Sequence, residues 1–119
     1  MFTHLAMTIA SNYTVSLVRM AEDIMSYAGV DNETARRMIV PLFSNTVGNI
    51  AAVGTLEALT GPVSRGDSEI IRRHLAALKE IGKGFENLYR GLALMALDAA
   101  VARAELSPEK ALEIRKLLD

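Results

Sequence analysis

Residues 3–28, THLAMTIASNYTVSLVRMAEDIMSYA, carry apolar side chains at intervals of three and four residues. This spacing gathers them on one face of an α-helix, whereas a half-buried strand would alternate every two residues. The main row consists of Ile9, Tyr13, Leu17, Met20, Ile24 and Ala28. Thr3 is placed to cap the start of the helix, and Gly29 to end it in a left-handed conformation. The stretch therefore predicts one long N-terminal helix.

The next segment continues the helical spacing of apolar residues as far as Val53. Asp31 has the side chain and position of an N-cap for this second helix. Pro41 lacks an amide hydrogen and clashes with the preceding turn, so a kink or break is expected near residues 37–41. Gly54 is expected to close the element, with one short turn following it.

The C-terminal half adds further helices around a single breaker-rich segment, residues 60–67, which is interpreted as the main loop. Asp67 is expected to cap the helix that follows. Residues 85–103 are apolar on almost every face, which predicts burial within the domain or against a second subunit. Ser107 and Pro108 mark the start of a last short helix. The pattern predicts one all-α domain over residues 1–119, with five to six helices and no strand.

Composition excludes several classes of partner. The chain has 13 basic and 14 acidic side chains, so it offers no strong field for nucleic acid or an anionic membrane. The longest unbroken apolar run, Leu92 to Leu97, is far shorter than the roughly 20 residues of a membrane span. The N-terminus lacks the basic region of a signal peptide, and the absence of cysteine fits a reducing compartment. A cytoplasmic location without membrane contact is expected.

Motifs that hold a cofactor are missing from the sequence. There is no glycine-rich turn for a dinucleotide, no phosphate-binding loop and no nucleophile elbow. The two histidines, His4 and His74, have no carboxylate at the spacing of a metal ligand, so no metal site is predicted. His74 is interpreted as a surface residue. If the chain belongs to an enzyme, its cofactor is held elsewhere.

A first candidate site lies at the beginning of the chain. His4, Thr8, Ser11 and Asn12 fall on one face of the predicted helix, within roughly 100° of each other. A histidine beside hydroxyl and amide groups can donate a proton to a carbonyl or orient one. The alternative is that His4 frays at the chain end and the other residues are ordinary polar surface. The spacing alone leaves both interpretations open.

A second candidate site is the segment 60–67. Gly61 and Gly66 permit unusual backbone angles, and Arg65 is suited to bind an anion. Asp67 would occupy the free amides of the following helix, so an incoming anion would meet a carboxylate there. The alternative is a plain connection between two helices with a capping aspartate.

Two motifs together resemble a known family. Residues 4–13, HLAMTIASNY, are similar to the "His-x-Ala…Ala-Ser-Asn-Tyr" opening of a helical domain of unknown function. That domain follows a Rossmann-like NADP-binding domain in many bacterial proteins. Residues 58–67, ALTGPVSRGD, resemble its second motif, "Ala-Leu-Thr-Gly-Pro-x-x-Arg-Gly-Asp". The wider relatives implied are reductases resembling 6-phosphogluconate dehydrogenase, including ketopantoate and pyrroline-carboxylate reductases.

The resemblance implies a fold like the C-terminal domain of 6-phosphogluconate dehydrogenase, a homodimer, and a small-molecule substrate bound in a cleft. NADP or NAD would bind to an upstream Rossmann-like domain, which this chain lacks. Ketopantoate-type relatives carry a catalytic lysine with an asparagine eight residues later. His4 and Asn12 stand at that spacing and are the catalytic candidates, with His4 as proton donor. The predicted substrate-binding residues, in a groove shared with His4 and Asn12, are Ser11, Thr60, Gly61, Arg65 and Asp67.

Two functions of different classes follow from these observations. The first is the substrate-side and dimerisation domain of an NAD(P)-dependent oxidoreductase acting on a small carbonyl or imine compound. The second is a non-catalytic helical homodimerisation module. Under either, the chain alone is expected to be inactive and to bind no coenzyme.

Overall fold

A computed structural model describes all 119 residues and contains six α-helices and no strand, which confirms the all-α class. The helices are α1 (Phe2–Tyr27), α2 (Asn32–Ala58), α3 (Pro62–Arg65), α4 (Ser68–Ile81), α5 (Lys83–Ala102) and α6 (Pro108–Leu118). The chain divides into two compact units, an N-terminal unit of Met1–Val47 and a C-terminal unit of Gly48–Asp119. Each unit is described by itself.

Helix α1 begins earlier than the sequence suggested. It starts at Phe2, with Met1 as an N-cap that makes no side-chain hydrogen bond, so the prediction of a Thr3 cap is wrong. The amide of Leu5 already donates to the Met1 carbonyl at 2.9 Å, and this bond includes Thr3 in the first turn. Gly29 follows the helix with a φ of +79°, which confirms the predicted left-handed ending.

Helix α2 is capped by Asp31, as predicted. Its carboxylate accepts a hydrogen bond from the Thr34 amide at 2.7 Å. The helical backbone angles continue through Pro41, so the break expected at residues 37–41 is wrong. The helix breaks at Gly54, where φ is 83° and ψ is 169°, which confirms the prediction that Gly54 closes the element. A proline removes one hydrogen bond from a helix, whereas these angles leave the helical region altogether and favour glycine.

The C-terminal unit has the principal core. Helix α5 contacts α3, α4 and α6. The buried cluster consists of Val63, Ile71, Leu75, Ala93, Leu97, Ile114 and Leu118. Helix α6 is capped by Ser107, whose hydroxyl accepts from the Lys110 amide at 3.1 Å, and Pro108 is its first residue, both as predicted.

Helix α5 is apolar on almost every face but only partly buried. Ala93, Leu97 and Ala100 are buried, whereas Leu88, Leu92 and Met95 are exposed. The helix begins at Lys83, directly after Gly82, whose φ of +148° separates it from α4. The exposed stripe on α5 is free to pack against another molecule.

The N-terminal unit leaves most of its apolar side chains exposed. Ala35 is its one buried residue, and α1 buries none. The helical stretch Asn32–Arg65 is long and apolar enough to cross a bilayer by length and composition alone. The core helix of a soluble protein passes the same test.

Candidate functional site

The first candidate site, on helix α1, has three polar side chains without a partner. His4, Ser11 and Asn12 are exposed, and none of their side chains makes a hydrogen bond within the chain. The hydroxyl of Thr8, on the same face, instead donates to the His4 carbonyl at 3.0 Å. The imidazole, the Ser11 hydroxyl and the Asn12 amide are therefore the groups of this first candidate site that remain free to bind a ligand.

The segment 60–67 is more ordered than the predicted loop. Gly61, with a φ of +98°, leads into the short helix α3, and Gly66 ends it in the left-handed conformation. The Ser64 hydroxyl donates to the Gly61 carbonyl at 3.0 Å, and the Asp67 amide donates to the Pro62 carbonyl at 2.8 Å. Pro62 favours the first position of a helix, which explains why a breaker-rich segment forms one turn.

Asp67 caps α4, as predicted. Its carboxylate accepts a hydrogen bond from the Ile70 amide at 3.1 Å. Arg65 is exposed and pairs with no carboxylate, and Thr60 is also exposed. Arg65 is therefore the basic residue of the second motif whose charge remains unpaired.

Gly66 lies where no larger residue fits without a shift. A Cβ atom there would stand 2.8 Å from Lys110 Cγ and 3.1 Å from Leu106 Cδ2. The second motif is thus held against the beginning of α6. Position 66 requires glycine for two reasons: its φ of +70° is unfavourable for residues with a Cβ atom, and the side chains of Lys110 and Leu106 leave no room for that atom without a shift.

Arg103 anchors the second motif from another direction, and sequence reasoning missed it. Its guanidinium donates to the Leu56 carbonyl at 3.1 Å and to the Leu59 carbonyl at 2.7 Å, and it pairs with Glu105. The side chain is only 13 % exposed. A charged residue directly after a largely apolar helix was the one sequence feature that pointed to this role. Its acceptors are backbone carbonyls, which no sequence motif identifies.

A second polar cluster supports the same region. Lys110 donates to Glu113 at 2.9 Å and approaches the Ser68 hydroxyl at 3.4 Å. Hydrogen bonds from Lys110 and Ser68 to the Glu113 carboxylate lower its pKa from the ordinary 4.5 to about 2. The cluster joins α4 and α6 beside the second motif.

His74 is not isolated on the surface. Its Nδ1 atom lies 3.0 Å from the Tyr89 hydroxyl, and the two rings pack edge to face at a centroid distance of 5.7 Å. Burial raises the pKa of the Tyr89 hydroxyl. His74 is exposed, as predicted, but its pairing with α5 gives it a structural contact that His4 lacks.

The two candidate sites belong to different units. His4, Ser11 and Asn12 lie in the N-terminal unit, whereas Thr60, Gly61, Arg65 and Asp67 lie in the C-terminal unit. The shared groove therefore stays a prediction. No group of three or more histidine, aspartate or glutamate side chains could hold a metal ion.

A groove of about 500 Å³ opens within the N-terminal unit, between α1 and α2. Its apolar lining is formed by Val15, Val18, Val40 and Phe43, and its charged lining by Arg19, Glu22, Asp23 and Arg36. None of the predicted site residues lines it. Sequence reasoning missed this groove because helical periodicity does not show which faces remain uncovered.

Comparison with known proteins gives one family. Residues 1–96 match the family model described as Domain of unknown function (DUF2520), and this match includes both motifs. No curated protein and no solved structure matches the chain.

Proposed function

This chain belongs to the family described as Domain of unknown function (DUF2520), and from that premise we propose that it is the substrate-side and dimerisation domain of an NAD(P)-dependent oxidoreductase. The substrate would be a small carbonyl or imine compound. The observation that carries the proposal is the free polar face of α1. His4, Ser11 and Asn12 have no partner within the chain, on a helix whose other exposed residues are largely apolar.

These side chains are suited to the proton transfer that accompanies a reduction. In its protonated form, the ring of His4 would donate a proton to the carbonyl oxygen or imine nitrogen, and a nicotinamide coenzyme held outside this chain would supply the hydride to the adjacent carbon. The amide of Asn12, two helical turns further along, orients that oxygen or nitrogen by hydrogen bonding. Ser11 adds a hydroxyl that can act as donor or acceptor.

The second motif supplies a complementary charge. Arg65 is exposed and unpaired, so it can bind a carboxylate or phosphate on the substrate. Thr60 offers a hydroxyl beside it, and the positive φ of Gly61 sets the direction of the chain there. Asp67 contributes by capping α4 and thereby fixing the end of this segment.

The coenzyme site is proposed to lie outside this chain. A dinucleotide site needs a glycine-rich turn between a strand and a helix, and the structure has no strand. No residue here is therefore assigned to NADP or NAD, which would bind to a Rossmann-like domain preceding this one. A cytoplasmic location without a membrane partner is part of the same proposal.

The second candidate is a non-catalytic homodimerisation module. The observation that favours it is the exposed apolar surface of α1 and of the Leu88, Leu92 and Met95 stripe on α5. Such surface is typical of protein interfaces. It is compatible with either function, since the proposed oxidoreductase domain would also form a homodimer.

An assay of coenzyme oxidation separates the two candidates. The domain is joined to its nucleotide-binding domain and incubated with NADPH or NADH and a panel of small ketones, 2-oxo acids and cyclic imines. Oxidation by the joined protein, but not by the nucleotide-binding domain alone, is the expected result. If the joined protein oxidises NADPH or NADH only at the background rate with every compound, the result would favour the non-catalytic module.

A further inference from the structure

The N-terminal unit lacks a core of its own. A stable domain buries the apolar face of each helix against another layer, yet α1 buries no residue and α2 buries only Ala35. The exposed fractions of Val15 and Val40, which line the groove between the two helices, are 68 % and 48 %. The α1–α2 hairpin therefore presents an uncovered apolar surface.

The charges at the groove indicate the kind of partner. Arg36 and Glu22 approach each other across the groove at 3.6 Å. Arg19 and Asp23, one turn apart on α1, make no ion pair although their spacing would allow one. The groove thus has one free positive and one free negative charge. This balance suits a surface that carries the same two charges and does not suit an anionic membrane.

We infer that the groove between α1 and α2 receives the same α1–α2 hairpin of a second copy. In a two-fold interface, each contact between two different residues occurs twice. With the two α1 helices crossing in opposite directions, Arg19 of each copy pairs with Asp23 of the other. Val15 and Val18 of each copy then lie within the interface on one side of the axis, and those of the second copy lie on the other side. This inference rests on the homodimer of the proposed function and assigns its interface.

The apolar contact is tested by charging it. Val15→Arg places a cation on an already exposed position, so the fold of the single chain is expected to survive. Leu112→Arg is the matched control, because Leu112 is 53 % exposed and lies on α6, outside the hairpin. By analytical ultracentrifugation, we expect wild type and Leu112→Arg to be dimers and Val15→Arg to be a monomer with unchanged helical circular dichroism.

The ionic contact is tested by exchanging the charges. Arg19→Asp and Asp23→Arg are each expected to weaken the dimer by about tenfold or more, because each places like charges together across the axis. The double variant carrying both changes restores the opposite-charge pairs and is expected to return the dimer dissociation constant towards wild type. Failure of the double variant to recover would overturn the proposed crossing.

The outcomes separate this inference from the function on which it rests. A dimer that survives Val15→Arg overturns the hairpin interface and leaves the homodimer itself intact. A wild-type chain that is monomeric at high micromolar concentration contradicts both. A wild-type chain that is monomeric in solution but cosediments with vesicles of phosphatidylcholine and phosphatidylglycerol also overturns the inference, and identifies a lipid surface as the occupant.

Discussion

The Arg103 guanidinium donates a hydrogen bond to the carbonyl of Leu59 at 2.7 Å. The two residues are 44 positions apart, and the bond ties the end of α5 to the start of the second motif. A further bond to Leu56 satisfies a carbonyl at the end of α2. The segment that bears Thr60, Gly61 and Arg65 is thus fixed by a residue that plays no part in its sequence motif.

Arg103→Ala is expected to destabilise the protein. The substitution leaves two backbone carbonyls without their charged donor, and hydrogen bonds to charged groups contribute about 1.5–3 kcal/mol each. We expect the free energy of unfolding to fall by about 2 kcal/mol or more, measured by urea denaturation. Arg73→Ala is the control, because its exposed ion pair with Glu69 contributes at most about 1 kcal/mol. Equal losses in the two variants would contradict the anchoring role of Arg103.

Gly66→Ala tests the left-handed turn of the second motif. The backbone φ of +70° strains any residue with a Cβ atom, at a cost of about 1–2 kcal/mol, and the new atom also meets Lys110. Thermal unfolding should therefore begin at a lower temperature. The matched change, Gly91→Ala in α5, meets no atom within 4 Å and should stabilise the helix by about 0.5–1 kcal/mol. A neutral or stabilising Gly66→Ala would contradict the structure at this turn.

The Glu113 cluster predicts a pH dependence of stability. Folding lowers the pKa of Glu113 from 4.5 to about 2. The ionised carboxylate therefore stabilises the folded chain at pH values above the unfolded pKa of 4.5, and this stabilisation is lost as the pH falls towards 2. The stability difference between wild type and Glu113→Gln should be constant above pH 5 and shrink below pH 4.5.

Urea denaturation at a series of pH values measures this difference. Glu57→Gln removes an exposed carboxylate that has no partner, and so controls for the change in net charge. A difference that persists unchanged to pH 2 would show that the Lys110 and Ser68 hydrogen bonds do not stabilise the Glu113 carboxylate.

The isolated chain is expected to bind neither NADPH nor NADH, because it has no strand and no glycine-rich strand-to-helix turn. Isothermal titration calorimetry of the chain with each coenzyme measures this directly. Micromolar binding would show that the coenzyme site is not confined to a separate domain.

The sequence predicted the positions and caps of the helices better than the contacts that the helices make. Local chemistry set the caps at Asp31, Asp67 and Ser107, and each was found because a side chain bonds to a nearby amide. Thr3 failed as a cap because an earlier turn already included it. The short helix α3 was missed because Gly61 and Gly66 suggest a loop, whereas Pro62 favours a helical turn between them.

The candidate site was less predictable, for a physical reason. Helical periodicity identifies the apolar face of α1 but not the molecule that covers it, so the absence of any buried residue on α1 was not foreseen. The contacts of Arg103 depend on backbone carbonyls distant in sequence, which no motif encodes. His4 and Asn12 were selected by spacing and by resemblance, and their shared site with the second motif remains a prediction.

The most direct test of the proposed function is the turnover number of the His4→Ala variant. It is measured in the protein that joins this domain to the nucleotide-binding domain proposed to precede it, with His74→Ala as the matched control. General acid catalysis typically contributes about 100- to 10,000-fold, so His4→Ala should lower kcat on that scale. Because the His4 side chain is exposed and makes no hydrogen bond, the unfolding temperature should not change. His74→Ala should retain the wild-type kcat. An unchanged kcat in His4→Ala would contradict the role of His4 as proton donor.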